Sequence, residues 1–112
     1  MLFSPGQCQI TSAAAEFLLS RQARPEGVLA RHLNGDWGTL GHHSEILPTL
    51  TPEERQRGQM VASEDSQRNC ISVLKGSGLV MSIYPFGDEV VWILSELCSV
   101  DSTTTILLPH EY

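Results

Sequence analysis

Apolar positions recur at helical spacing through the first third of the chain and at strand spacing through the last third. A short strand is expected from Cys8 to Ile10, followed by a helix whose buried stripe is Ala14, Phe17 and Leu18, with Thr11 or Ser12 as its cap. A second helix starts at Arg24-Pro25-Glu26, because proline suits the first helical position and the glutamate complements the positive helix N-terminus. Val28, Leu29, His32 and Leu33 share its inner face. Asn34-Gly35 closes it, since either residue can take the left-handed conformation.

From Thr39 to Leu50 the periodicity fades, and His42-His43-Ser44 with Leu47-Pro48 reads as a loop dipping one apolar turn into the body. Thr51-Pro52-Glu53-Glu54 has the pattern of a capping box, so a helix should begin at Pro52. Ser63-Glu64-Asp65 can start another helix with the stripe Gln67, Cys70, Ile71 and Leu74, stopped by Gly76-Ser77-Gly78.

Beyond that point the period is two. Leu79, Met81 and Ile83 alternate with Val80, Ser82 and Tyr84; Pro85-Phe86-Gly87-Asp88 is turn chemistry; Val90, Trp92 and Leu94 alternate with Val91 and Ile93. This is a β-hairpin. After a connection from Cys98 to Ser102, the β-branched run Thr103 to Leu108 forms a third strand stopped by Pro109. The expected fold class is α+β: N-terminal helices packed in two layers on a C-terminal three-stranded antiparallel meander.

With 112 residues the chain is one domain, and 41% hydrophobic with 18% charged residues is a globular composition. Thirteen acidic against seven basic residues, a formal charge of −6, disfavours a nucleic-acid partner. No apolar run approaches the ~20 residues of a membrane helix, and the start Met1-Leu2-Phe3-Ser4-Pro5-Gly6 lacks a basic segment and a long apolar core. No membrane partner and a cytoplasmic location are therefore expected. The three cysteines, Cys8, Cys70 and Cys98, form no Cys-x-x-Cys pair and read as reduced, mostly buried residues.

The densest chemistry lies at Arg31-His32-Leu33-Asn34-Gly35-Asp36-Trp37-Gly38. Its structural reading is that Gly35 and Gly38 permit tight turns, Asp36 accepts backbone hydrogen bonds and Trp37 covers the end of the core. Its functional reading is an anion-binding or acid/base cluster of Arg31 and His32 beside Asp36. The position of His32 on the apolar helix face favours a hydrogen-bonded core histidine. His32, His42, His43 and His110 lack the helical spacing that puts two imidazoles on one metal, and no phosphate-binding glycine loop or nucleophile motif is present, so neither a metal nor a cofactor is expected.

Arg31-His32-x-x-Gly35-Asp36-Trp37-Gly38, then Asn69, Leu79 to Tyr84, Val91-Trp92-Ile93 and the ending Thr104 to Tyr112, with Pro109 and Tyr112 in it, together resemble a family. It consists of small uncharacterised proteins of plasmids, integron cassettes and other mobile genetic elements that share an RHxxGDWG corner and an LLPxEY ending. The chain departs from that pattern by an insertion at about Gly41 to Val61 and by a different link, Ile93 to Ser102, between the last strands. The resemblance implies a fold and a mobile-element context rather than a reaction.

With the enzyme templates unfilled, the expected function is that of a non-enzymatic accessory or protein-interaction protein. The Thr103 to Leu108 strand, taken as a sheet edge, suggests a homodimer. The alternative is a small metal-independent ribonuclease or toxin, for which Arg31, His32, His42 and Tyr84 are the catalytic candidates by fold analogy. A third reading is a small-molecule pocket between helices and sheet, lined by Trp92, Met81 and Phe17.

Overall fold

A computed structural model describes residues 1–52 and 65–112 of the chain. The capping box completed by Glu54, the break near Gly58, the start at Ser63-Glu64 and the part of the insertion beyond Pro52 lie outside the described residues.

The centre of the fold is the expected hairpin. Strand β2 (Gly78–Phe86) pairs antiparallel with β3 (Glu89–Leu97), joined by a two-residue turn at Gly87-Asp88, so the strands run two residues further into the turn sequence than its composition suggests. Strand β4 (Thr103–Leu107) adds antiparallel to β3. The first strand, β1 (Gln7–Ile10), then pairs in parallel with β4, giving the order β1-β4-β3-β2. The sheet is therefore four-stranded and mixed rather than a three-stranded meander. Its consequence is direct: β4 is an internal strand, and the edge expected at Thr103 to Leu108 is occupied by β1.

One sheet face carries the core. Val80, Ser82 and Tyr84 of β2, Val91, Ile93, Ser95 and Leu97 of β3, and Thr104 and Ile106 of β4 are all buried. Helix α1 (Ser12–Ser20) is capped by Thr11, whose Oγ1 accepts from Ala14 N at 3.1 Å. Its Ala14 and Leu18 join Val28, Tyr84, Val91, Ile93 and Ile106 in one cluster, with Phe17 against it. Helix α2 (Pro25–Leu33) has Pro25 in its first turn and ends before Gly35, which takes φ +89° while Asn34 stays at φ −98°.

Trp37, Leu50, Cys70, Ile71, Val80 and Leu97 form the second cluster. The stretch expected to be a loop instead makes a short helix α3 (His43–Ile46) and a 3-10 turn (Leu47–Thr49) that packs Ile46 and Leu47 on that cluster. Helix α4 (Asp65–Lys75) buries Asn69, Cys70, Ile71 and Ser72, whereas Leu74, expected in its stripe, is 49% exposed. A last 3-10 turn (Pro109–Glu111) follows β4. No helix among the described residues is long and apolar enough to cross a membrane.

The opposite sheet face presents Leu79, Met81, Ile83, Trp92 and Leu94, each half-buried. Trp92 and Met81 thus lie across the sheet from Phe17, and the three do not line one cavity.

Candidate functional site: a structural corner and two unlike sheet edges

The corner after α2 is held from within. Arg31 Nε donates to Asp36 Oδ2 at 2.6 Å, and the Arg31 guanidinium lies 4.5 Å from the centre of the Tyr84 ring. The Arg31 hydrogen bond holds the Asp36 carboxyl below its ordinary value against the opposing effect of burial, and Gly38 N donates to Asp36 Oδ1 at 3.2 Å. Tyr84 Oη donates to the Asp36 carbonyl at 2.7 Å, and burial raises that phenol above its ordinary range. His42 Nε2 stands 3.8 Å from Asp36 Oδ1. Three of the four catalytic candidates, Arg31, His42 and Tyr84, therefore surround Asp36. The Tyr84 hydroxyl is already committed to a backbone carbonyl.

His32, the fourth, turns inward. Its ring is fully buried, with Nδ1 2.6 Å from Ser82 Oγ and Nε2 2.8 Å from Ser95 Oγ, and Ser95 Oγ is 2.6 Å from Thr104 Oγ1. The polarity of this chain follows from its far end, where Thr104 Oγ1 donates to Pro5 O at 2.8 Å. Thr104 then accepts from Ser95, Ser95 accepts from His32 Nε2–H, and His32 Nδ1 accepts from Ser82, so the ring is the neutral Nε2–H tautomer. Burial lowers its pKa to about 4, which keeps it neutral near pH 7. Ser82 and Ser95 are fully buried too, so no substrate reaches this dyad-like contact. The core histidine expected from the helix pattern is what the structure contains; its two hydroxyl partners, Ser82 and Ser95, with Thr104 behind Ser95, are not signalled by that pattern.

Trp37 is completely buried and meets the His43 ring edge-on at 5.7 Å. Gly38, at φ +66°, brings the corner against β2: a Cβ there would stand 1.9 Å from Ile83 O. That proximity lets Ile83 N donate to Trp37 O at 3.2 Å and Thr39 N donate to Ile83 O at 2.9 Å. One step along the strand, Asn69 Nδ2 donates to Met81 O at 2.6 Å and Met81 N donates to Asn69 Oδ1 at 2.8 Å. Pro85 has no N–H. The outer edge of β2 is thus covered at Met81 by Asn69 and at Ile83 by Trp37 and Thr39, with Gly38 between them permitting the close approach.

The other edge is treated differently. Gln7 N donates to Ser102 O and Thr11 N to Ile106 O, so alternation directs the N–H groups of Cys8 and Ile10 away from β4, on the side where β1 has no neighbouring strand. All four residues of β1 are exposed. Beside them a groove of about 160 Å³ runs between β1 and α2, with Ile10, Ile106, Pro25 and Leu29 as apolar lining and Cys8 and Glu26 at its sides. A larger cleft of about 360 Å³ lies at the hairpin turn between Asp88, Glu89, Val90 and the Leu108-Pro109-His110 segment. Neither contains Arg31, His32, His42 or Tyr84.

Trp92 and Tyr112 meet at 5.8 Å on the open sheet face, and Pro109 begins the closing 3-10 turn, where Glu111 Oε1 accepts from Thr11 Oγ1 at 2.7 Å and from Leu108 N at 2.9 Å. No group of three or more histidine, cysteine or acidic residues suited to a metal ion occurs among the described residues. No protein-family model, curated protein or solved structure matches the chain.

Proposed function

We propose that the protein is a non-enzymatic protein-interaction module that takes a strand of its partner along the free edge of β1. The observation that carries this reading is the contrast between the two edges. Exposed strand edges invite indiscriminate pairing and are usually blunted. Here Asn69 and the Trp37–Thr39 corner occupy β2, while β1 offers the free backbone groups of Cys8 and Ile10 next to an apolar groove. Strand addition uses main-chain hydrogen bonds for affinity and neighbouring pockets for selectivity, and β1 with α2 supplies both elements.

The corner and the Leu108-to-Tyr112 ending supply the accompanying proposal that this module is an accessory protein of a mobile genetic element. A homodimer is one form that strand addition can take, now at β1 rather than at β4. The experiment is a selection of random displayed peptides on the whole protein, counter-selected against Cys8→Pro. That substitution removes one outward N–H, and proline is tolerated on a strand edge when its nitrogen faces solvent. Enrichment of sequences that bind the natural chain and lose the proline variant is expected; binders indifferent to the proline, or no enrichment, would sink the reading.

A further inference from the structure

We propose that the β1/α2 groove takes an extended segment of another protein bearing one apolar side chain and, two residues from it on the same face, a lysine or arginine. The inference rests on the strand-addition reading above and adds the chemistry of the partner.

The size of the groove fixes the first half. At about 160 Å³ it is close to the ~150 Å³ apolar cavity that accepts a benzene molecule, so it accommodates one leucine-, isoleucine- or phenylalanine-sized group. Its apolar lining comes from both layers: Ile106 from β4 and Ile10 from β1 below, Pro25 and Leu29 from α2 above. An incoming strand paired to Cys8 and Ile10 directs every second side chain to this face of the sheet.

Charge fixes the second half. Glu26 is the one charged group lining the groove, it is exposed, and among the described residues it is in no ion pair. It complements the α2 N-terminus but leaves its outer side to solvent. Same-face neighbours on a strand are ~7 Å apart, within reach of a long cationic side chain once the apolar residue is seated. A second copy of this chain fits less well. Its own edge reads Gln-Cys-Gln-Ile, with no cation for Glu26, and each copy carries a formal charge of −6.

Cys8 reports occupancy without a label. It is exposed and lines the groove, Cys98 is exposed elsewhere and Cys70 is buried. The probes are capped seven-residue peptides alternating threonine with valine, leucine and lysine, so that leucine and lysine share a face, with the lysine two residues after or two before the leucine. Iodoacetamide modification of the whole protein is followed by mass mapping.

At saturation one of the two peptides should slow Cys8 alkylation at least about fivefold and leave Cys98 unchanged. Replacing the peptide leucine by alanine should weaken binding roughly tenfold. Exchanging its lysine for glutamate, or using Glu26→Gln with the lysine peptide, should weaken it about two- to fivefold, the range of an exposed ion pair. Analytical ultracentrifugation of the free protein tests the rival occupant.

Protection that is equal for lysine and glutamate peptides yet lost when the peptide backbone is N-methylated overturns the proposed partner chemistry while leaving strand addition standing. Protection that is indifferent to peptide backbone N-methylation overturns both. No protection by either peptide up to about 1 mM overturns the proposal, as does a dimer that buries Cys8.

Discussion

Asn69 stands to Met81 as the backbone of a neighbouring strand would, donating to its carbonyl at 2.6 Å and accepting its N–H at 2.8 Å. A side chain from a helix thus substitutes for a fifth strand at the point where β2 would otherwise be free. Asn69 is only 1% exposed, so both bonds are made away from water, where an unmade bond is costly.

Asn69→Leu should therefore lower stability by about 2–3 kcal/mol, two hydrogen bonds and the desolvated groups left behind. Urea unfolding measures the loss. The same variant should also self-associate at lower protein concentration, because it frees the β2 edge. A variant as stable and as soluble as the natural protein would show that Asn69 is not the edge guard.

The His32 network gives a pH dependence with a definite sign. The folded pKa is about 4 against an ordinary value of 6.5, so between those pH values the unfolded chain binds the extra proton and the folded one does not. Stability from this group is fully present above pH ~6.5, falls as pH drops, and levels off below ~4, a total on the order of 3 kcal/mol. His43, lowered by burial as well, adds in the same direction. The Asp36 carboxyl, held low by Arg31, loses its contribution only in more acidic solution. Unfolding midpoints at pH 7.5 and 5 should differ markedly in the natural protein and much less in His32→Asn.

Two glycines should respond in opposite ways to alanine. At Gly38 the backbone is left-handed and a Cβ would collide with Ile83 O, so Gly38→Ala should cost several kcal/mol, on the order of 3. At Gly27 in α2 nothing lies within 4 Å, and Gly27→Ala should gain roughly 0.5 kcal/mol from helix propensity alone. Thermal melts of the pair check both signs.

The cysteines should be modified in a fixed order. Cys98 is exposed, and the N–H of Val100, followed by those of Asp101 and Ser99, lowers its thiol pKa, whereas burial pushes Cys70 up to about 11. Alkylation of the folded protein near pH 7.5 should therefore begin at Cys98, and Cys70 should react only after unfolding. Early modification of Cys70 would contradict the packing of the second cluster.

What the sequence reveals here is what is decided locally. Thr11 as a cap, Pro25 in a first turn, Gly35 as the left-handed stop and Asp36 as an acceptor of a backbone N–H each depend on a few adjacent residues. The position of β1 does not. Its four residues are all exposed, so no burial period marks them, and their partner Thr103–Leu107 lies at the far end of the chain. Helix α3 is equally hidden, since four residues with no buried member carry no periodic signal.

The His32 network had a trace that could have been followed. Ser82 and Ser95 occupy the same phase of the hairpin as Val80, Tyr84, Val91 and Ile93, which is the phase that turns out to face the helices. Two serines in a buried phase opposite a histidine on an apolar helix face call for one another by hydrogen-bond accounting. Reading Leu79, Met81 and Ile83 as one equivalent alternation obscured that, because both faces of the hairpin are largely apolar.

The parallel pairing of β1 with β4 also orders events in time. Pro5 and Thr104 are 99 residues apart in sequence, yet the carbonyl of one anchors the hydroxyl of the other, and Gly6 fits so tightly against Ser102 that a Cβ would stand 1.9 Å from its carbonyl oxygen. Strand β1, which precedes β4 by most of this sequence, has no seat in the sheet until β4 has been made and has joined β3. The groove beside it, lined by Ile10 and Ile106, therefore exists only once both strands have paired, and a partner that recognises it reads the completed sheet.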